Sequence, residues 1–302
     1  MQRLPHRIVL GLLLAAIVAS AMGKGTPCSP PPGVKPQTLP VSSPDAGDDN
    51  ALYAHAVSEL WTQQFPGKDI SYLLLSLRTG TVIAQRWEGA NHPVPAGSLV
   101  KPFTAMAYAE SHKFNFPRHV CAAGTCWLPK GHGELGIIRA VALSCNSYFI
   151  NLAGDISPAE VVAVAHRFGL NGPGLQASAE DMAGMHGAWL EPPSAIATAY
   201  AELLAERSQP GVREIVEGMA QAAKDGTAAG LSLRLSHAEV LAKTGTAHCT
   251  HHPPAPGDGF VVAAWPADAP TYLLLLRDHG EPGARAAVLA GRMLRALGRT
   301  LP

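Results

Sequence analysis

Apolar positions along this chain change their period several times, and each change marks an element. Tyr53, Val57, Leu60 and Trp61 recur at the spacing of one helix face, and Phe65-Pro66-Gly67 ends that helix. Residues 71–77 and 81–86 are strand-like runs joined by Arg78-Thr79-Gly80, which predicts a hairpin. A helix is expected over Ser98–Ser111. From about residue 115 to 235 the chain is alanine-rich, with helical patterns at 137–153, 158–168, 193–206 and 212–224. Strand character returns at 239–247, 260–265 and 272–277. A last helix, 284–297, puts Ala286, Leu289, Met293 and Leu297 on one face and leaves Arg285, Arg292, Arg295 and Arg299 for the other. Strands at both ends with helices between predict an α+β fold. It has a central antiparallel sheet of about five strands flanked by helices, plus a mostly helical lobe, with a cleft between sheet and lobe.

The first 49 residues fit none of these patterns. Met1–Arg7 carries two arginines and a histidine, Ile8–Gly23 is uncharged and apolar, and Ala19-Ser20-Ala21 supplies small residues. That is the three-part form of a secretory signal. The apolar run, at 16 residues, is short for a membrane span. Residues 1–23 therefore read as a signal peptide or a membrane anchor, and the chain as periplasmic or otherwise extracytoplasmic. Residues 24–49 hold seven prolines and read as a stiff linker. One folded domain is expected over 50–302. Its formal net charge is zero for the whole chain, with no charge run, so nothing calls for a nucleic-acid partner.

Five cysteines, at 28, 121, 126, 145 and 249, suit an exported chain with at most two bridges. Cys121 and Cys126 are closest in sequence and are the expected disulfide. Their spacing suggests no metal. The loop His248-Cys249-Thr250-His251-His252 has metal-ligand residue types but no partner ligands elsewhere in sequence, so it reads as a solvated connection running into Pro253-Pro254 rather than a metal site.

Three short stretches carry chemistry. In PAGSLVKPF, Ser98 and Lys101 are one helical turn apart, and Lys101 is the only one of eight lysines with a serine three positions before it. A serine needs a base within reach to become a nucleophile, and a lysine serves as that base when burial or a nearby cation lowers its pKa. Taken alone, the pair also reads as a helix-capping serine beside a surface lysine. In ALSCNSYF, Ser144 and Asn146 set a hydroxyl and an amide two residues apart, which alone is an ordinary polar turn. In LAKTGTA, Lys243, Thr244, Gly245 and Thr246 sit inside an apolar strand, where an ammonium is costly and a glycine admits a ligand.

Together these form SxxK, SxN and KTG, in that order. With the PAGSLVKPF box, Cys126-Trp127 followed by Gly131-His132-Gly133, and the DGFVVAAWP strand, the chain from about 50 to 298 resembles the transpeptidase domain of penicillin-binding proteins. The resemblance implies that Ser98 attacks the carbonyl between two terminal D-alanines of a peptidoglycan stem peptide, and is acylated by β-lactams. Lys101 would take the serine proton and Ser144 would pass it to the leaving D-alanine. Asn146 would hold Lys101 and a substrate amide. Lys243 would keep the local potential positive, and Thr244 and Thr246 would bind the terminal carboxylate. No cofactor is implied. Partners would be stem peptides, β-lactams and other cell-wall synthesis proteins.

Compared with larger relatives, these 302 residues are expected to hold no glycosyltransferase domain and no sizeable pedestal, and only about 100 residues separate Ser144 from Lys243. A DD-transpeptidase or DD-carboxypeptidase is the leading expectation; a β-lactamase and a non-catalytic penicillin-binding sensor or scaffold are the alternatives, and the three intact motifs argue against the last. A β-lactamase needs a base for water, and Glu180, Asp181 and Glu191, the acids to consider between Asn146 and Lys243, read as exposed turn or helix-start residues.

Overall fold

Strands whose residues are apolar on both sides must be covered on both faces, and three strands here are of that kind. The computed structural model describes residues 48–232, 235, 239–247 and 257–300. The expected signal or anchor, nearly all of the linker, Cys28 and the His248–His252 loop lie outside the described residues.

In chain order the elements are helix α1 (Asp48–Gln64), strands β1 (Ile70–Ser76), β2 (Val82–Arg86) and β3 (Val94–Pro95), a 3-10 turn (Gly97–Val100) and helix α2 (Lys101–Ser111). Strands β4 (His119–Cys121) and β5 (Gly133–Leu135) come next, with helices α3 (Ile137–Ala142), α4 (Asn146–Gly154), α5 (Pro158–Arg167) and α6 (Ala179–Met182). Strand β6 (Leu190–Glu191) leads to helices α7 (Pro193–Ala205), α8 (Val212–Asp225) and α9 (Ala229–Ser232). Strands β7 (Leu241–Ala247), β8 (Asp258–Trp265) and β9 (Tyr272–His279) and helix α10 (Gly283–Thr300) complete the chain.

The main sheet has five antiparallel strands, as the sequence pattern predicts, and the structure sets their order as β2-β1-β9-β8-β7. Leu73, Leu75, Phe260, Val262, Leu273 and Leu275 point into one apolar cluster, and Tyr72, Leu74, Val261, Ala263, Leu274 and Leu276 into another. The second cluster lies under α1 and α10. There Trp61 packs edge-on to Tyr72, with ring centroids 4.9 Å apart, and donates from Nε1 to the Met293 carbonyl. The first cluster joins the sheet to the helical lobe around α2. Each fully covered leucine in these layers contributes about 1.5–3 kcal/mol by leaving water.

Helix α2 is the centre of the lobe: every residue from Lys101 to Ala109 is buried. Phe103 contacts the rings of Phe168 and Tyr200, and the Tyr200 hydroxyl donates to the Leu99 carbonyl, so the turn before α2 is tied to α7. Two-stranded ribbons, β3–β6 and β4–β5, brace the two sides of the lobe.

One expected element differs. The helix predicted over 137–153 is two helices, α3 and α4, with a corner at Leu143-Ser144-Cys145. Ser144 N–H donates to the Val141 carbonyl and Cys145 N–H to the Ala140 carbonyl, while Ser144 has φ +49°. This is a Schellman ending with a serine in the left-handed position that glycine ordinarily fills. Without a glycine there, the sequence pattern gives no sign of the break.

Candidate active site

The corner, the turn before α2 and strand β7 meet at one end of the sheet. Ser98 lies in the 3-10 turn rather than at the N-cap of α2, and makes no capping hydrogen bond. The expected helix therefore starts three residues later. Gly97 makes the turn possible. Its φ is +55°, and a Cβ there would stand 2.6 Å from the Thr246 carbonyl oxygen, so only glycine lets this backbone press against β7. Ser98 is half-buried and opens onto the cleft.

Lys101 is fully buried on the first turn of α2. Its Nζ donates to Ser144 O at 2.9 Å and to Asn146 Oδ1 at 2.5 Å, with Ser144 Oγ at 3.5 Å. Lys243, in the middle of β7, is also fully buried, and its Nζ donates to Ser144 Oγ at 2.9 Å and to Thr244 O at 2.7 Å. Ser144 Oγ is thus set between two amines. The left-handed corner is what turns that hydroxyl toward both.

Neither lysine has an acidic partner among the described residues. Burial pushes Lys101 down to about 8. Burial, reinforced by the Lys101 charge, lowers Lys243 well below the ordinary lysine range. Two amines bridged by one hydroxyl in a dry site cannot both stay charged cheaply. The arrangement therefore stocks a free amine beside a serine.

The cleft has a volume of about 520 Å³ and is lined by Ser98, Ser144, Asn146, Thr244, Gly245 and Thr246, among others. Of the residues of the SxxK, SxN and KTG motifs, Ser98, Ser144, Asn146, Thr244, Gly245 and Thr246 face this one space, while the two lysines are buried beneath it. Thr244 Oγ1 donates to Thr227 Oγ1 at 2.6 Å, and Gly283 N–H donates to Thr246 Oγ1 at 2.9 Å, so both threonine hydroxyls are oriented. Sequence reasoning did not place Thr227, His186 or Trp127 here. Trp127 leaves about half its surface exposed on the rim and donates from Nε1 to the Leu143 carbonyl at 3.1 Å. A somewhat larger cavity between α1 and α10, about 640 Å³, is lined by Arg285, Arg292 and Arg295 and has no serine, threonine or cysteine in its lining.

Two expectations need correction. Glu191 is not an exposed turn residue but fully buried. Its carboxylate accepts from the backbone N–H groups of Asn171 and Gly172, from Asn171 Nδ2 and from Trp189 Nε1. It is a knot tying β6 to the loop after α5, and it does not line the cleft. Asp181 does start a helix, closing a capping box with Ser178. The second correction concerns Cys121 and Cys126. Both carry free thiols, as does Cys145. The sulfur nearest Cys126 in a hydrogen-bonding arrangement is that of Cys145, at 3.8 Å, because the corner carries Cys145 toward the loop after β4.

No protein-family model matches the chain, and no curated protein matches it. Solved structures do. The transpeptidase domain of penicillin-binding protein 3 from Burkholderia pseudomallei aligns with TM-score 0.66 at 14% identity, over 84% of this chain and 95% of that one. PBP2 of Pseudomonas aeruginosa, solved in complex with WCK 5153, aligns with TM-score 0.65 at 17% identity, over 83% and 74%. The D,D-transpeptidase domain of a peptidoglycan glycosyltransferase from Eggerthella lenta aligns with TM-score 0.64 at 15% identity, over 86% and 89%. The class defined by sheet and lobe is thus an α+β fold with its cleft at their junction. More particularly, it is the fold of penicillin-binding protein transpeptidase domains.

Proposed function

We propose that the chain is a serine acyltransferase acting on D-Ala-D-Ala stem peptides in peptidoglycan synthesis or remodelling, as a DD-transpeptidase or DD-carboxypeptidase, and that penicillins acylate it at Ser98. One observation carries this reading. Lys101 Nζ is buried, and its two close acceptors are Ser144 O and Asn146 Oδ1. In the free amine, those two bonds use both N–H groups and leave the lone pair for the Ser98 hydroxyl, one turn away.

In the first step Ser98 Oγ bonds to the carbonyl carbon and gives its proton to Lys101. The C–N bond to the last D-alanine then breaks, and the proton reaches the departing nitrogen through Ser144 Oγ. The backbone N–H groups of Ser98 and Thr246 stabilise the developing oxyanion. Thr244 and Thr246 bind the terminal carboxylate, and the positive charge shared by the two lysines attracts it. An amine from a second stem peptide, or water, finally takes the acyl group. Such a substrate lies outside the cytoplasm, in keeping with the leader pattern of residues 1–23.

The β-lactamase alternative needs a base poised to activate water. No Asp or Glu is among the cleft-lining residues described, and Glu191 is fully engaged elsewhere. The test is incubation with a synthetic stem peptide ending in D-Ala-D-Ala, following released D-alanine with and without an amine acceptor. Release dependent on Ser98 is expected. No release, together with a penicillin adduct that survives Ser98→Ala, would overturn the reading.

A further inference from the structure

Next to the corner four side chains converge. Cys121 ends β4, Cys126 lies in the loop that follows, His132 immediately precedes β5, and Cys145 is the middle residue of Ser144-Cys145-Asn146. Their ligand atoms all lie within 4.8 Å of one another. Cys121 Sγ is 3.4 Å from His132 Nδ1, and Cys126 Sγ is 3.8 Å from Cys145 Sγ. Cys121 and Cys145 are buried, and Cys126 and His132 are at least partly so.

These separations discriminate between bonding modes. A disulfide requires about 2.05 Å between sulfurs. The edges of a tetrahedron around zinc, with Zn–S about 2.3 Å and Zn–N about 2.0 Å, are about 3.8 Å between two sulfurs and about 3.5 Å between sulfur and nitrogen. Two of the six pairs match those edges, and all six lie within 4.8 Å. The loop is also built for the approach: Gly131 has φ +72°, and a Cβ there would stand 2.3 Å from the Cys121 carbonyl oxygen. This folds the His132 segment back over Cys121.

We propose that Cys121, Cys126, His132 and Cys145 form a closed tetrahedral zinc site that fastens the Ser144–Asn146 corner to the β4–β5 ribbon. Four protein ligands leave no position for water, so the metal is structural and takes no part in bond making at Ser98. Its binding releases the three thiol protons to solvent and leaves three thiolates and one neutral imidazole on the ion. The site explains why three thiols crowd together in an exported chain without pairing. It also gives the corner a second anchor, beside the bonds that Lys101 and Lys243 make to Ser144. The proposal stands apart from the acyltransferase reading, since it rests on ligand geometry alone.

The test uses the full chain, exported and purified from zinc-replete medium, and reads metal content by mass spectrometry. About one zinc per chain is expected, with Cys121, Cys126 and Cys145 protected from alkylation until a chelator is added. Replacement by cobalt(II) should give the visible spectrum of a tetrahedral thiolate complex. Cys126→Ser and His132→Ala should each weaken zinc binding at least tenfold, while Cys28→Ser leaves it unchanged. Circular dichroism of each variant separates lost binding from lost folding. Should a variant unfold, the cobalt spectrum and thiol protection of the wild-type chain decide the matter. A chain that takes up no zinc after reduction, or peptide mapping that finds any two of these cysteines bridged in zinc-replete protein, would overturn the proposal.

Discussion

Ser144 occupies a backbone position that suits glycine and carries a hydroxyl that glycine lacks. Its φ of +49° costs a non-glycine residue about 1–2 kcal/mol. Replacing it by Gly or by Ala removes the same hydroxyl, so the two variants share the loss of the bonds to Lys243 and Lys101. The glycine variant should be the more stable by about 1–2 kcal/mol in denaturant unfolding, the reverse of the order inside a helix. Equal stabilities would mean that the corner relaxes when the hydroxyl is gone. Both variants should lose acylation.

The two lysines also set a pH dependence. In the proposed mechanism acylation needs the free amine of Lys101, which burial holds at about 8, so the rate of penicillin acylation should rise with pH through an apparent value near 8. Removing the neighbouring amine in Lys243→Ala relieves like-charge repulsion and raises the Lys101 value. The acid limb should then move to higher pH. An unmoved limb with a lower plateau would limit Lys243 to substrate binding. Lys101→Arg should not acylate at all, because a guanidinium keeps its proton.

At the scale of elements, the strands were legible because β1, β8 and β9 are apolar on both sides, and helix α10 because its apolar and arginine faces alternate at helical spacing. The corner between α3 and α4 was not legible. Its Schellman bonds need a left-handed residue, and a serine there looks like any helix interior. Glu191 was misread for a related reason. Pro192-Pro193 beside it signals a turn, but burial came from tertiary packing against the Asn171-Gly172 backbone. Glu191→Gln keeps the shape but points an amide N–H₂ at backbone donors. It should destabilise the fold by about 2–4 kcal/mol, measured by urea unfolding. Folded protein of this variant should acylate at Ser98 at an unchanged rate, since the carboxylate touches nothing in the cleft.

Over the whole molecule, what the sequence disclosed was what lies within a few residues. SxxK, SxN and KTG are local spacings, and the fold brings all three to one cleft. Cys121, Cys126, His132 and Cys145 have no such spacing. They become neighbours only through the β4–β5 pairing and the corner, and Cys145 was hidden as the variable letter of SxN. The acid-free lining, a property of the assembled cleft, leads to a further expectation. An acyl-enzyme with penicillin should last many minutes, because attack by water without a positioned base loses on the order of 10²–10⁴ in rate. A fluorescent penicillin chased with unlabelled drug measures this, and turnover faster than about one per second would point to a base not yet identified.

Strand β7 pairs only with β8 among the described residues, and its Thr244–Ala247 stretch borders the cleft. One row of its backbone N–H and C=O groups is therefore an unclosed ladder. An extended peptide lying in the cleft would extend the sheet by one strand and be gripped mainly through its main chain. Recognition of that kind reads direction and extension of the ligand more than the identity of its side chains. Swapping a stem-peptide side chain two residues before the scissile bond should then change acylation little. Methylating the amide nitrogen that meets β7 should cost one hydrogen bond and slow acylation about tenfold.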